Sequence, residues 1–188
     1  SGTLTVALSG TSTPVVEGET LSVEATVENT GDVSDTQTIA LDAGGLGTDS
    51  TAVSLAGGES TAVTLSVGTA SDDAGSYTAT VSSADSTDST GVTVQTPAQF
   101  AVTVTGTNAP VVEGETLTVD ASVANTGDVG DAQTITLDAG ALGSDSTAVS
   151  LTGGESTAVT LSVNAGSGDA GTYTATVSGA DDAGSTTV

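Results

Sequence analysis

The sequence predicts an all-β protein built from two tandem β-sandwiches of seven strands each. Three observations carry that expectation. Apolar residues recur at every second position, and no helix-period segment is longer than one turn. The alternating runs are short and are bounded by Gly, Asn, Asp and Pro, which end strands and form turns. Residues 15–92 recur as residues 111–188 without a gap, with 58 of 78 positions identical, so the chain holds two copies of one unit. The first unit is expected at 1–95 and the second at 99–188, joined by the linker Thr96-Pro97-Ala98. That linker is short and stiffened by Pro97, which implies two units set end to end with limited freedom.

Taken in order, Leu4, Val6 and Leu8 alternate with Thr5 and Ala7 as a first strand. Phe100, Val102 and Val104 are its counterparts in the second copy. Pro14 cannot donate to a ladder, so Val15-Val16 is expected to resume pairing only at an edge. Leu21, Val23, Ala25 and Val27 alternate with Ser22, Glu24, Thr26 and Glu28, a strand with one dry face and one wet face. Asn29-Thr30-Gly31-Asp32 reads as the turn that ends it. Gln37, Ile39 and Leu41 form the next strand, Gly44-Gly45-Leu46-Gly47 a loop, and Val53 and Leu55 another strand. After the turn Gly57-Gly58-Glu59-Ser60 come Val63, Leu65 and Val67, then Tyr77, Ala79 and Val81, and finally Val92 and Val94. The second copy stops at Val188, the counterpart of Val92, so its last strand is expected to be truncated. The reading is a window cut from a longer tandem array, or a chain that begins after processing.

The core residues are Val, Leu, Ile and Ala, with one Phe and two Tyr in the whole chain. A core of that kind buries a modest area per unit and implies modest stability in dilute buffer.

Charge is the strongest compositional signal. The chain carries 24 acidic residues and no Lys, Arg or His, a net charge of -24. No side-chain salt bridge is available, and mutual repulsion among the carboxylates opposes the compact state at low salt. At molar salt the Debye length falls to roughly 3 Å and the repulsion is screened, so the composition points to a halophilic source. Nucleic acid is excluded as a partner, because phosphate neutralisation needs cationic side chains. An anionic membrane surface is disfavoured on the same ground. No apolar run approaches the ~20 residues of a membrane span, so no direct membrane insertion is expected in this segment.

The missing residue types also remove most chemistry. Without Cys there is no disulfide or thiolate metal site. Without His, Cys or Lys there is no Ser–His triad, thiol nucleophile or Schiff base. No Lys–Asn isopeptide staple can form. Asn29, Asn108, Asn125 and Asn164 all lack Ser or Thr two residues on, so no N-glycosylation sequon exists. A glycosidase would need two carboxylates at a fixed separation, usually beside an aromatic sugar platform, and the chain has no Trp. The protein is therefore expected not to be an enzyme. Acidic clusters are the remaining candidates for chemistry: Asp32 and Asp35, repeated as Asp128 and Asp131, flank a turn, with Asp85 and Asp88 against Asp181 and Asp182, and Glu17 and Glu19 against Glu113 and Glu115. Hard cations take six to eight oxygens, so Asp32, Asp35, Asp128 and Asp131 are the candidate ligands for Ca²⁺ or another hydrated cation. Solvated carboxylates on turns are the plainer reading.

One motif stands out by its repetition. Asp73-Ala74-Gly75-Ser76-Tyr77 returns as Asp169-Ala170-Gly171-Thr172-Tyr173, each followed by alternating residues. It resembles the tyrosine corner of immunoglobulin-like sandwiches, in which a Tyr hydroxyl bonds back to the chain just upstream. Asp73, Gly75, Tyr77, Asp169, Gly171 and Tyr173 are its candidate structural residues. An antibody domain has a disulfide Cys two residues after the Tyr; here Ala79 and Ala175 stand there. The longer string V-x-E-G-E-x-L-x-V-x-A-x-V-x-N-T-G-D, at Val15–Asp32 and Val111–Asp128, is followed by Gly-Gly-Glu-Ser and D-A-G-x-Y-T-A-T-V. Together these resemble the CARDB-type immunoglobulin-like repeats of haloarchaeal surface proteins. The resemblance implies an extracellular or cell-surface stalk, adhesin or filament subunit, self-associating or bound to other surface proteins, with no catalytic residues to carry over.

Assembly is expected through end-to-end and edge-strand contacts. In strand exchange, the segment Ser1–Gly10 with Leu4, Val6 and Leu8 is the candidate donor, and the truncated last strand at Val188 the candidate acceptor. The alternatives are a glycan- or protein-binding adhesion module and a viral fibre protein of a halophile. A binding module should diverge between copies at one loop cluster, and residues 68–72 differ from 164–168, and 86–91 from 182–187. Those changes exchange small and polar residues without gaining a Trp, Tyr or Arg anchor, which favours a scaffold.

Overall fold

A computed structural model describes residues 2–188, so Ser1 of the proposed donor segment lies outside the described residues. The chain divides after Thr96 into two compact units, the second running from Pro97 to Val188. The first unit contains β1 (Leu4–Thr11), β2 (Val15–Val16), β3 (Thr20–Asn29), β4 (Asp35–Asp42), β5 (Thr48–Leu55), β6 (Ser60–Gly68), β7 (Gly75–Ser82) and β8 (Thr87–Gln95). The second contains β9 (Phe100–Thr107), β10 (Thr116–Asn125), β11 (Asp131–Asp138), β12 (Ser144–Leu151), β13 (Ser156–Asn164), β14 (Thr174–Ser178) and β15 (Ala183–Thr187). The only helical pieces among the described residues are the 3₁₀ turns Gly44–Leu46 and Gly140–Leu142.

Each unit pairs its strands into two sheets. In the first, β1-β3-β6 make one sheet and β2-β8-β7-β4-β5 the other. In the second the sheets are β13-β10-β9 and β12-β11-β14-β15. Among the described residues the first unit thus has eight strands rather than seven. The extra one is β2: Val15-Val16 pairs in parallel with Val94-Gln95 of β8. In the second unit Val111-Val112, the counterpart of Val15-Val16, is not a strand. The neighbouring space is a groove of about 530 Å³, lined in part by Pro110, Val111, Leu117, Leu142, Tyr173 and Val188.

The period-two pattern places the core. Leu21, Val23, Ala25 and Val27 of β3 point inward and are all buried, and Ile39 and Leu41 of β4, Leu65 of β6, and Ala79 and Val81 of β7 meet them. The second unit repeats this with Leu117, Val119, Ala121 and Val123, and Phe100 replaces Leu4. Ala79 and Ala175, at the disulfide position of an antibody domain, are fully buried and pack as ordinary small core residues.

The candidate interaction surface: guarded edges, corners and turns

A sandwich of two open sheets presents outer strands whose unpaired N–H groups invite another strand. In this protein acidic side chains occupy part of that row. The N–H groups of Leu4, Val6 and Leu8, on the side of β1 away from β3, donate to Asp85 (3.0 Å), Ser86 Oγ (3.4 Å) and Asp88 (2.8 Å). In the second unit Phe100 and Val102 donate to Asp181 and Asp182, both at 2.9 Å. The opposite edge of the same sheet is closed similarly: Ser66 N–H on β6 donates to Asp49 on β5, and Ser162 N–H on β13 to Asp145 on β12, each at 2.8 Å. These bonds run between the two sheets and bracket the sandwich on both sides.

Hydrogen bonding sets the electrostatics of these carboxylates. The Gln37 side-chain amide, and then the Leu4 N–H, hold Asp85 below the ordinary carboxylate range. The Phe100 N–H, then Gln133, do the same for Asp181, and the N–H groups of Val102 and Ala183 for Asp182. Gln37 is a two-sided brace: its Nε2 donates to Asp85 (2.6 Å) and Asp35 (2.9 Å) while its Oε1 accepts from Ala84 N–H (3.0 Å). Gln133 braces Asp181 and Ala180 in the same way.

The repeated E-G-E string has a local explanation. Glu19 and Glu115 cap the turns they belong to, accepting from Val16 (2.9 Å) and Val112 (3.2 Å) N–H. Glu17 and Glu113 reach across to the loop before the Tyr, accepting from Ala74 N–H (2.9 Å) and from the N–H groups of Gly168 (2.9 Å) and Ala170 (3.2 Å). In that loop Tyr77 Oη donates to the Asp73 carbonyl at 2.8 Å, and Tyr173 Oη to the Asp169 carbonyl at 2.9 Å. The Asp73 and Asp169 carboxylates accept from Ala70 and Gly166 N–H, both at 2.7 Å. Gly75 has φ +155°, and a Cβ there or at Gly171 would lie against the Tyr ring.

The candidate cation ligands are not gathered into one site. Asp35 accepts from its neighbour Thr36 N–H (2.9 Å) and from Gln37, while Asp32, Asp128 and Asp131 are exposed. Among the described residues no group of three or more carboxylates is arranged to hold a metal ion. The candidate exchange residues sit in their own units. Leu4 and Val6 are buried in the first core and Leu8 packs against it, which counts against exchange through β1. Val188 packs on the second core and exchanges two backbone hydrogen bonds of 2.9 Å with Tyr173.

Asn29 and Asn125 are the residues that sequence reasoning missed. Both are buried. Asn29 Oδ1 accepts from Thr3 and Gly31 N–H (both 3.1 Å), and its Nδ2 donates to the carbonyls of Val33 (2.8 Å) and Leu55 (3.1 Å). Asn125 ties Gln99, Gly127, Val129 and Leu151 in the same pattern. The signal was parity: position 29 continues the inward series 21, 23, 25, 27, so the last inward residue of β3 is polar.

Residues 2–91 match the CARDB family model. No curated protein matches the chain. Among solved structures, the chain is 25% identical to a Ca²⁺-stabilised adhesin with which an Antarctic bacterium binds ice, over 99% of this chain and 48% of that one, at a TM-score of 0.46. It is 18% identical to red sea bream transglutaminase (97% and 31% covered, TM-score 0.38) and 17% to Escherichia coli alpha-2-macroglobulin (99% and 22%, TM-score 0.33). The chain spans less than half the length of each of these three. No helix among the described residues is long and apolar enough to cross a membrane.

Proposed function

We propose that the chain is a structural module of an extracellular or cell-surface assembly in a haloarchaeon or another salt-loving organism: a segment or subunit of a filament, fibre or adhesin stalk. The observation that carries this reading is the tandem repetition of a CARDB-matching unit, residues 2–91, in a second copy identical at 58 of 78 positions. Both copies are CARDB-type sandwiches on this reading. Their mechanism is mechanical. Repeated rigid sandwiches extend reach, and the sheet edges bracketed by Asp85, Asp88, Asp181 and Asp182 leave the loops and the ends of the units as contact surfaces with further copies or other surface proteins. The absence of Lys and Arg suits a molar-salt exterior, where the charge of -24 is screened. Catalysis has no support: the chain lacks His, Cys and Lys, and many of its carboxylates accept backbone N–H bonds.

The alternative is an adhesion module recognising glycan or protein. The divergence of residues 68–72 from 164–168, beside the tyrosine corner, favours it at that one loop. An antibody against the chain, used on fractionated cells and shed material in molar salt, tests the main reading. Recovery in the envelope or medium is expected; recovery with cytosolic markers refutes it.

A further inference from the structure

β1 and β9 are outer strands of their three-stranded sheets. An outer strand normally offers its free N–H groups as a template for another chain. Here Leu4, Val6 and Leu8 N–H are held by Asp85, Ser86 and Asp88, and Phe100 and Val102 N–H by Asp181 and Asp182. The backbone of β15 also lies against the outer edge of β9, where a Cβ on Gly184 would sit 3.1 Å from Val104 N. We propose that the carboxylates guard these edges as acid-releasable ties, and that protonating them lets the β7–β8 and β14–β15 hairpins move off β1 and β9, opening these strands to pairing with a second copy of this chain.

Two effects act in the same direction as pH falls. A carboxylate accepts a charge-assisted bond, roughly twice as strong as a neutral one, so protonation loosens the guard. The second effect follows from composition. Most proteins become strongly cationic in acid and repel one another. This chain has 24 acidic groups and no Lys, Arg or His, so acid carries it from -24 towards zero. At low salt repulsion between copies therefore falls as the edges open; in molar salt it is already screened and release of the carboxylates alone decides. Each copy presents the same edge, so two antiparallel β1 strands, or two β9 strands, form a self-complementary pair.

The groups facing these strands change in one direction. Asp35 on β4 shares the Gln37 amide with Asp85, Glu24 and Glu28 on β3 lie opposite Gly10 and Thr5, and Asp120 on β10 lies opposite Gly106. All are carboxyls, and no cation compensates for any of them. The depressed titration of Asp85, Asp181 and Asp182 means that the guard persists somewhat below the usual carboxylate range before it releases. The inference stands on edge geometry and charge alone and does not depend on the extracellular reading.

Light scattering on the full chain in about 1 M KCl, from neutral pH down to about pH 2, well below the ordinary carboxylate range, tests it. The expected result is a reversible rise in mass in acid to at least twice that of the monomer, since each chain carries two such edges, with β-sheet circular dichroism retained and amide-exchange protection of Leu4, Val6 and Leu8 redistributed. A variant combining Asp85→Ala, Asp88→Ala, Asp181→Ala and Asp182→Ala should associate already at neutral pH. A second variant combining Ala7→Lys and Thr103→Lys keeps the guards but puts a permanent cation on the exposed face of each edge strand. It should stay monomeric in acid. A parent that remains monomeric in acid overturns the proposal, and so does a lysine variant that associates as the parent does. The parent and lysine variant decide the matter even where the alanine variant fails to fold.

Discussion

Replacing Asn29 by Ala removes four hydrogen bonds from one buried side chain: two accepted from Thr3 and Gly31, two donated to Val33 and Leu55. The Leu55 partner is in a fully buried bond, while the other three are part-buried and reach water more easily. A buried group left without its partner costs about 1–3 kcal/mol, and a group that regains water costs little. At about 2 kcal/mol per group, the middle of that range, one to two groups stranded in this way give a loss of about 2–4 kcal/mol, a large fraction of the roughly 5–15 kcal/mol that holds a domain together. For a unit of this size that corresponds to a fall of on the order of 10–25 °C in melting temperature. Calorimetry in molar KCl reads it directly. Asn29→Ala should lower the melting of the first unit and leave that of the second, with Asn125→Ala doing the reverse. Asn29→Asp sharpens the argument, since it keeps the shape but aims a carboxylate at two carbonyls. Its folded-state pKa must then be raised, so its stability deficit should shrink as pH falls below that value. A loss below about 0.5 kcal/mol for either alanine variant, the range of ordinary surface changes, refutes the view of Asn29 and Asn125 as hubs.

Three further outcomes follow from the same geometry. Tyr77→Phe and Tyr173→Phe each remove a bond to an upstream carbonyl and should cost about 1 kcal/mol in urea unfolding, with the slope unchanged. A Cβ at Gly57 would lie 2.6 Å from the Asp32 carbonyl oxygen, and one at Gly153 would collide with the Asp128 carbonyl, so Gly57→Ala and Gly153→Ala should each destabilise by roughly 1–3 kcal/mol in the same assay. Asp85, Asp181 and Asp182 titrate lower in the folded chain than in the unfolded one, so their stabilisation is complete above the unfolded value and disappears as pH falls through the folded value. A combined Asp85→Asn, Asp181→Asn and Asp182→Asn variant should therefore show a flatter stability profile across that acid window.

Much of the fold was legible because each strand has one dry face. Leu21 to Val27 on β3 and Gln37 to Leu41 on β4 alternate cleanly, and burial follows the alternation. The repeat placed the second set of strands at no extra cost in argument. What local pattern could not supply was pairing between distant segments. That Val15-Val16 lies parallel to Val94-Gln95 depends on two stretches nearly 80 residues apart. The same limit applies to the acidic residues. Asp85 and Asp88 read as turn carboxylates, and only the approach of β1 to the β7–β8 hairpin shows them holding Leu4 and Leu8 N–H. Asn-Thr-Gly-Asp has turn chemistry, and that local signal outweighs the inward parity that Asn29 shares with Leu21, Val23, Ala25 and Val27. The hydrophobicity that marks Leu4 and Val6 as exchange candidates is used within their own core.

The central claim is that two sandwich units form part of an extended extracellular structure. Electron microscopy of native material in molar salt, with gold-labelled antibody against this chain, tests it most directly. Labelled filaments, fibres or stalks on or shed from the cell envelope are the predicted result. Label found only on isolated particles free of any envelope or fibre would contradict the account.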